Sequence, residues 1–232
     1  MKSLSLSLLI AAGLLSSAVS ANADTSYTGV TINGNVYTIT NYSNLNNADL
    51  HNAVLTDGNF GHATFNGANL SGADLTGTNL GGSSFVNANL QNAVLDATFM
   101  WETDFSGANL QSSSFSGAWC IGLVFTSSTN LLNVNFSHSS IYNTSFTGIN
   151  LTGVNFSGTD LSGSDFTGAT LAYANRAAFE ATSGATLGEA FGLDAAIYSG
   201  NTPVPEPSTY GLIGIGALAV AIAARRRKLK TA

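Results

Sequence analysis

An apolar residue returns at every fifth position along more than half of this chain. The count starts at Leu45 and runs to Phe125, and after one inserted residue it resumes at Leu131 and ends at Leu171, which gives 26 pentads. A period of five matches neither the 3.6 residues of a helical turn nor the two-residue alternation of a strand. The pattern therefore predicts a repeating coil that is larger than either element.

The central apolar residues sort by type at a spacing of 20. Four pentads would make one square coil, and every fourth centre would then stack on the same wall. Like side chains pack best in contact with each other, so the sorting predicts stacked coils of 20 residues. The four walls are the Phe wall (Leu45, Phe65, Phe85, Phe105, Phe125, Phe146, Phe166), the Leu wall (Leu50, Leu70, Leu90, Leu110, Leu131, Leu151, Leu171), a third wall (Leu55, Leu75, Leu95, Phe115, Phe136, Phe156) and the mixed wall (Phe60, Leu80, Met100, Cys120, Ile141, Leu161).

A small residue usually stands two positions before each centre, as in Ala48-Asp49-Leu50 and Ala73-Asp74-Leu75. This pattern resembles the pentapeptide-repeat family over residues 44–171. The resemblance implies an all-β solenoid, a right-handed quadrilateral β-helix. The single slip between Phe125 and Leu131 departs from the pattern, and we expect a corner bulge there. Asn residues that precede the Leu wall should stack as a ladder at about 4.8 Å, the spacing of paired strands.

Both ends of the coil are expected to carry caps. Residues 24–43 contain two short apolar runs around Asn33-Gly34, which predicts a hairpin over the first open edge; the alternative is a hairpin that serves as a binding element. Residues 172–199 are rich in Ala, with Phe179, Leu187, Phe191, Leu193 and Ile197 at roughly helical intervals. They predict one or two short helices as a C-terminal cap.

The N-terminus is predicted to be a secretory signal peptide. Residues 1–23 combine Lys2, a short apolar core and Ala21-Asn22-Ala23, an A-x-A cleavage site. The formal net charge is −6, but residues 24–203 hold twelve acidic residues and one basic residue, Arg176, for a net charge of −11. Such a surface resists anionic partners, and no nucleic acid is expected to bind.

The C-terminus combines a motif, an apolar run and a basic cluster in that order. Residues 200–209 are predicted to form a linker that contains Pro205, Glu206 and Pro207. Residues 210–224 are predicted to form an apolar transmembrane sorting helix, and residues 225–232 a basic cytoplasmic tail that begins with Arg225, Arg226 and Arg227. This arrangement resembles the PEP-CTERM sorting signal. The resemblance implies a Gram-negative bacterium, an exosortase-type processing enzyme and delivery to the cell surface or an exopolysaccharide matrix. An ordinary tail anchor is the alternative.

The coil shows no arrangement typical of a catalytic site. His51, His62 and His138 occupy separate corners and are expected to be polar corner residues, while Cys120 is expected to be a small core side chain. Glu102 and Asp104 lie close in sequence but without a pocket. We therefore predict a protein that is not an enzyme and that holds no cofactor or metal.

Large apolar residues gather on the outward positions of the mixed wall. The register places Phe99 below Trp119, and Trp101, Ile121 and Tyr142 in a second row. These five residues, termed the aromatic patch, are a candidate contact site, because aromatic rings stack on sugars and on protein. The alternative is that residues 172–199 fold back over the patch.

Two functions from different classes remain. The first is an exported, non-enzymatic scaffold at the cell surface or in the matrix that binds exopolysaccharide or neighbouring proteins. The second is an acidic mimic of DNA that inhibits DNA gyrase, as some pentapeptide-repeat proteins do; the export signals oppose it because gyrase is cytoplasmic.

Overall fold

The computed structural model describes residues 27–173, 176–187, 190, 192–193 and 196–198. All of the described residues belong to one compact unit. In this unit residues 20 apart pair in parallel bridges, from Asn44 with Thr64 to Asp104 with Val124. The predicted right-handed quadrilateral β-helix is confirmed.

The corners explain why the chain is rich in Asn and Gly. At the first corner the Ala48 amide donates to the Leu45 carbonyl at 3.0 Å, and Asn47 between them has a φ of 58°. A turn of this kind requires a positive φ at its third residue, which Asn and Gly adopt most readily. Successive coils are joined by backbone bonds such as Leu45 N to Thr64 O at 2.7 Å.

The core is a column of stacked centre residues. Phe85 is fully buried, and its ring lies 4.7 Å from the Phe65 ring at an interplanar angle of 1° and 5.2 Å from the Phe105 ring. Polar residues at the second inward position are also satisfied, since the buried Thr78 hydroxyl donates to the Leu75 carbonyl at 2.7 Å. The predicted sorting of Phe upon Phe is therefore confirmed.

The Asn ladder beside the Leu wall is also present. The Asn69 side chain donates to Asp49 Oδ1 and the Asn89 side chain donates to Asn69 Oδ1, both at 3.3 Å. Asn130 closes the series by donating to Asn109 at 3.0 Å across the slip. Each carboxamide thus links one coil to the next.

The inserted residue is absorbed at a corner, as predicted. Pairing changes there from a separation of 20 residues (Asp104 with Val124) to 21 residues (Asn109 with Asn130). The Thr129 hydroxyl donates to the Phe105 carbonyl at 3.0 Å and accepts from the Gly107 amide at 3.2 Å. Thr129 therefore supplies an acceptor for the Gly107 amide of the coil below, and it adds a second hydrogen bond to the Phe105 carbonyl, which also accepts from the Ala108 amide.

The N-terminal hairpin covers the open edge of the first coil. Strands β1 (Tyr27–Ile32) and β2 (Asn35–Ile39) are joined by Asn33-Gly34, both at positive φ. The Tyr37 hydroxyl accepts from the Asp49 amide at 3.1 Å and donates to the Asp49 carbonyl at 3.3 Å. The hairpin thus satisfies backbone groups that have no coil beneath them, which is the role of a cap.

Few segments of the coil are regular enough to count as strands. They are β3 (Phe99–Trp101), β4 (Trp119–Ile121), β5 (Ser140–Tyr142), β6 (Asn150–Leu151) and β7 (Thr170–Leu171), and most of the other contacts between coils are isolated bridges. Strands β3, β4 and β5 form one three-stranded parallel sheet, and β7 pairs with both β6 and β8 (Ile197–Tyr198).

The C-terminal cap contains a short helix, within the one or two that the sequence pattern predicts. Helix α1 (Arg176–Ser183) buries Phe179 against Phe156 and Phe166 and then ends before Gly184, which has a φ of 60°. Beyond it Thr186 pairs with Asp160 and β8 pairs with β7, so the described residues of this cap combine one short helix with bridges to the last coils. Pairing with the open edge of the last coil satisfies backbone groups that a second helix would leave exposed.

The sorting segments lie outside the described residues. These are the signal peptide at 1–23, the linker and motif at 200–209 with Pro205, Glu206 and Pro207, the apolar run at 210–224 and the tail at 225–232. Phe191 of the predicted C-terminal cap also lies outside them. In the part of the chain that the structure describes, no helix is sufficiently long and apolar to cross a membrane. The transmembrane helix therefore stays a prediction.

Candidate functional site

The mixed wall carries the longest strands of the coil and, on their outer faces, the aromatic patch. The centres of β3, β4 and β5 are buried, and the residues on either side of each centre point outward. Register pairs Phe99 with Trp119 in one row, and Trp101 with Ile121 and Ile121 with Tyr142 in the other. The structure therefore brings together all five residues that the sequence placed there.

The patch is open to solvent. Phe99 is 52% exposed, Trp119 48% and Trp101 42%, and the rings of Phe99 and Trp119 lie 5.1 Å apart. The described part of the 172–199 segment lies on the final coil, where Thr186 pairs with Asp160 and β8 with β7. Large exposed apolar groups on an otherwise polar surface typically mark a contact site.

Trp101 leans down the wall because the residue below it has no side chain. A Cβ atom added at Gly81 would fall inside the Trp101 indole. The indole and the His62 ring are in edge-to-face contact with their centroids 5.2 Å apart, and His62 in turn stacks on Tyr42 with the centroids 4.9 Å apart at an interplanar angle of 13°. Both rings are exposed, so the aromatic surface continues beyond the five predicted residues.

Sequence reasoning missed Tyr42 and His62 as members of this surface. Both occupy the second position after a centre and lie 20 residues apart, so the coil register alone places them in one column. His62 was instead predicted to be an ordinary corner residue. What the register does not show is that Trp101 tilts over Gly81 and closes the gap to this column.

The groups around the patch are neutral or acidic. On the same wall below Phe99, the Asn79 side chain donates to Asn59 Oδ1 at 3.2 Å. Above it the Tyr142 hydroxyl donates to Asp160 Oδ2 at 3.2 Å, and hydrogen bonds led by that from the Ser162 hydroxyl hold the pKa of Asp160 below its usual value. Arg176 is the single Arg or Lys among the residues that the structure describes.

The other titratable residues have structural partners. His51 Nδ1 lies 2.7 Å from Asp49 Oδ1, and Asn33 of the hairpin donates to the His51 carbonyl at 3.1 Å, so this histidine belongs to the N-terminal cap. The hydrogen bond from His51 is the main reason that the pKa of Asp49 is lowered. Burial raises the pKa of the Cys120 thiol, which disfavours the reactive thiolate.

A metal centre finds no support in the described ranges. Over residues 27–173 and the described positions that follow, no three side chains of His, Cys, Asp or Glu converge as ligands of a metal ion. What the site presents is a flat aromatic surface with amide, hydroxyl and carboxylate neighbours. Such a surface is suited to binding through stacking and hydrogen bonds.

Fold and surface together define a β-solenoid built from five-residue units that displays one aromatic wall. The family model described as pentapeptide repeats matches eight copies, at residues 43–82, 83–118, 129–168 and 149–175, and the chain belongs to the pentapeptide-repeat family. A second model, the PEP-CTERM protein-sorting motif, matches residues 203–228. This match supports an exported, envelope-associated protein of a Gram-negative bacterium and processing by an exosortase.

Several solved structures are similar to this chain. HetL, a pentapeptide repeat protein involved in heterocyst differentiation regulation in the cyanobacterium Nostoc sp. strain PCC 7120, is 26% identical over 72% of this chain and 85% of its own, with a TM-score of 0.31. QnrB1, a plasmid-mediated fluoroquinolone resistance protein, is 20% identical over 69% and 91%, with a TM-score of 0.33. A pentapeptide repeat protein of the Arabidopsis thaliana thylakoid lumen is 25% identical over 57% and 70%, with a TM-score of 0.22. Comparison with curated proteins gave no match.

Proposed function

We propose that this protein is an exported, non-enzymatic scaffold whose aromatic patch binds the exopolysaccharide of the surrounding matrix. The observation that carries the proposal is the exposure of three large aromatic side chains, Phe99, Trp101 and Trp119, on one wall of the coil. The family and the sorting motif support an exported scaffold. The ligand is inferred from the chemistry of the patch.

Aromatic rings suit a saccharide because their faces pack against the apolar faces of sugar rings. The patch is also held rigidly. Its backbone belongs to the three-stranded sheet of β3, β4 and β5, and the centres between the outward residues are buried. A ligand therefore meets rings whose positions are fixed before binding, which lowers the entropy lost on association.

Gyrase inhibition is the weaker candidate. It rests on the acidic character of residues 24–203, whose twelve acidic residues outnumber one basic residue. The sorting motif opposes it, because a protein directed to the envelope does not meet a cytoplasmic enzyme. If the purified protein inhibits DNA supercoiling by gyrase at micromolar concentration, the gyrase reading replaces ours.

The coil itself supplies a variant that removes the patch and preserves the fold. Earlier coils carry Asn59 and Asn79 where later coils carry Phe99 and Trp119, and Gly61 and Gly81 where the next coil carries Trp101. The triple variant Phe99→Asn, Trp101→Gly, Trp119→Asn gives these positions the residue types of the preceding coils. As the matched control, Val54→Asn with Val124→Asn removes exposed apolar side chains from two other walls.

The experiment measures retention of the exported protein on exopolysaccharide from the producing strain. We expect the wild type and the Val54 and Val124 control to be retained, and the triple variant to elute with unbound protein at an unchanged unfolding midpoint. Equal retention of all three proteins would remove the patch from the function. Capture of envelope proteins by the patch, without binding to the polysaccharide, would assign the site to a protein neighbour.

A further inference from the structure

Tyr42 and His62 extend the aromatic surface beyond the patch. Tyr42 is 70% exposed, its ring stacks on His62, and the His62 ring is in edge-to-face contact with the Trp101 indole, with the centroids 5.2 Å apart. Above Trp101 the surface continues along the same row of strand residues through Ile121 and Tyr142. These five residues, Tyr42, His62, Trp101, Ile121 and Tyr142, form a continuous strip that we term the aromatic strip.

The strip is long and narrow. Tyr42 and Tyr142 lie five coils apart, and at about 4.8 Å per coil the strip measures roughly 24 Å along the rod axis. Across the axis it is about one side chain wide, with Phe99 and Trp119 beside it only at its centre. A surface of this shape is matched by an extended polymer rather than by a compact ligand.

The charge around the strip selects against an anionic polymer. Residues 24–203 carry a net charge of −11, and exposed Glu102 directly follows Trp101. Arg176, in helix α1 beyond the last coil, is the single Arg or Lys among the described positions. An acidic polysaccharide or a second copy of this chain would bring like charges together across the interface.

The polar groups beside the strip fit the hydroxyl groups of sugars. In the row that runs beside the strip, the carboxamides of Asn59 and Asn79 lie below Phe99 and Ser140 lies above Trp119, while the strip itself contributes the Tyr142 hydroxyl. Amides and hydroxyls both donate and accept hydrogen bonds, as sugar hydroxyls do. None of these groups requires an ionised ligand.

We therefore propose that the aromatic strip binds an uncharged, extended saccharide chain that lies parallel to the rod axis. This inference rests on the proposed function and adds to it the charge of the ligand, its direction on the rod and two further contact residues, Tyr42 and His62. Trp101 is the link between the two halves of the strip, and its position depends on the absence of a side chain at Gly81.

The test separates exopolysaccharide of the producing strain by anion exchange into uncharged and acidic fractions. Binding of the exported protein to each fraction is followed by intrinsic fluorescence, because the two tryptophans of the chain, Trp101 and Trp119, both lie in the patch. The uncharged fraction is also hydrolysed to short oligosaccharides of two residues and long ones of at least six. We expect the long uncharged oligosaccharides to bind most tightly.

Tyr42→Ala tests the length of the strip, and Gly81→Ala tests the link that Trp101 provides. Tyr42→Ala should weaken binding of the long oligosaccharides roughly three- to tenfold, the range expected for one lost ring contact, and leave the short ones unaffected. Gly81→Ala should displace the indole of Trp101, change its emission and weaken binding of both sizes. Gly61→Ala adds the same methyl group on the same wall, where the nearest atom is 3.5 Å away, and should leave the emission unchanged.

The outcomes distinguish this inference from the proposed function. Binding of the acidic fraction alone, or equal binding of long oligosaccharides by wild type and Tyr42→Ala, overturns the inference while the patch remains a saccharide site. Failure of both fractions to bind overturns the inference and the proposed function together. Tighter binding of the long uncharged oligosaccharides, with the losses described for Tyr42→Ala and Gly81→Ala, supports both.

Discussion

Phe85→Ala tests whether stacking along the Phe wall holds the coil together. The Phe85 side chain is fully buried, and its ring lies between those of Phe65 at 4.7 Å and Phe105 at 5.2 Å. Truncation would remove both ring contacts at once and leave a cavity on the coil axis. Neighbouring coils cannot close this cavity easily, because their spacing is fixed by backbone hydrogen bonds on every wall.

We expect Phe85→Ala to lower the free energy of unfolding by about 3–5 kcal/mol, the range measured for large aromatic truncations in closely packed cores. Phe85→Leu should cost less than Phe85→Ala, because Leu leaves a much smaller cavity and Leu45 already serves as a centre on this wall. As a surface control, Val54→Ala, at a side chain 44% exposed, should change the free energy of unfolding by no more than about 0.5 kcal/mol.

Urea unfolding followed by circular dichroism and by tryptophan emission measures these differences. Trp101 and Trp119 report from the coils next above Phe85, so the two signals should change together if neighbouring coils unfold cooperatively. The reasoning would be refuted by a Phe85→Ala variant whose unfolding midpoint matches that of Val54→Ala. That result would mean that the stacked rings add little to the stability that the backbone hydrogen bonds between coils provide.

Three further predictions concern the cap, the thiol and the acidic end of the patch. Tyr37→Phe should destabilise the protein by about 1 kcal/mol in urea unfolding, since the amide and carbonyl of Asp49 both lose their hydrogen bonds to the Tyr37 hydroxyl. Cys120 should resist iodoacetamide in the folded protein and react after unfolding, because burial raises the pKa of its thiol; rapid labelling of the native protein would contradict this. The pKa of Asp160 is lower in the folded than in the unfolded state, where it is near 3.8, so its carboxylate stabilises the fold above that pH and the contribution is lost as pH falls through the lowered pKa. Asp160→Asn should therefore reduce the drop in urea midpoint between about pH 5 and about pH 2, and an unchanged drop would exclude this carboxylate as a source of acid sensitivity.

The coil was predictable because each of its physical requirements recurs in the sequence. A buried centre, a small second inward residue and a corner residue suited to positive φ return together, as at Ala63, Phe65 and Gly67. The position of the slip also followed from the count alone. The cap beyond Leu171 was harder, because its apolar spacing fits a helix while the open edge of the last coil favours pairing with β8.

The register predicted which residues of the site point outward, but the sequence did not predict how far the aromatic surface extends. Alternation around Met100 and Cys120 places Phe99, Trp101 and Trp119 outward whatever their rotamers. The contact between Trp101 and His62 depends instead on side-chain direction, which is determined by the space above Gly81. Sequence periodicity determines which side chains point outward, and the packing of neighbouring residues determines the direction that each ring takes.

The separation of inward from outward positions also bears on why the aromatic patch exists. The Asn79 carbonyl accepts from Phe60 N at 2.9 Å, and one coil later the Phe99 carbonyl accepts from Leu80 N at 2.8 Å, so the backbone ladder is the same whichever side chain points outward. Folding therefore does not require Phe at position 99. An Asn at this position could have hydrogen-bonded to the Asn79 side chain below it, as Asn79 does to Asn59. Because the exposed rings do not serve the core and reduce the polarity of the surface, binding is the physical advantage that best explains them.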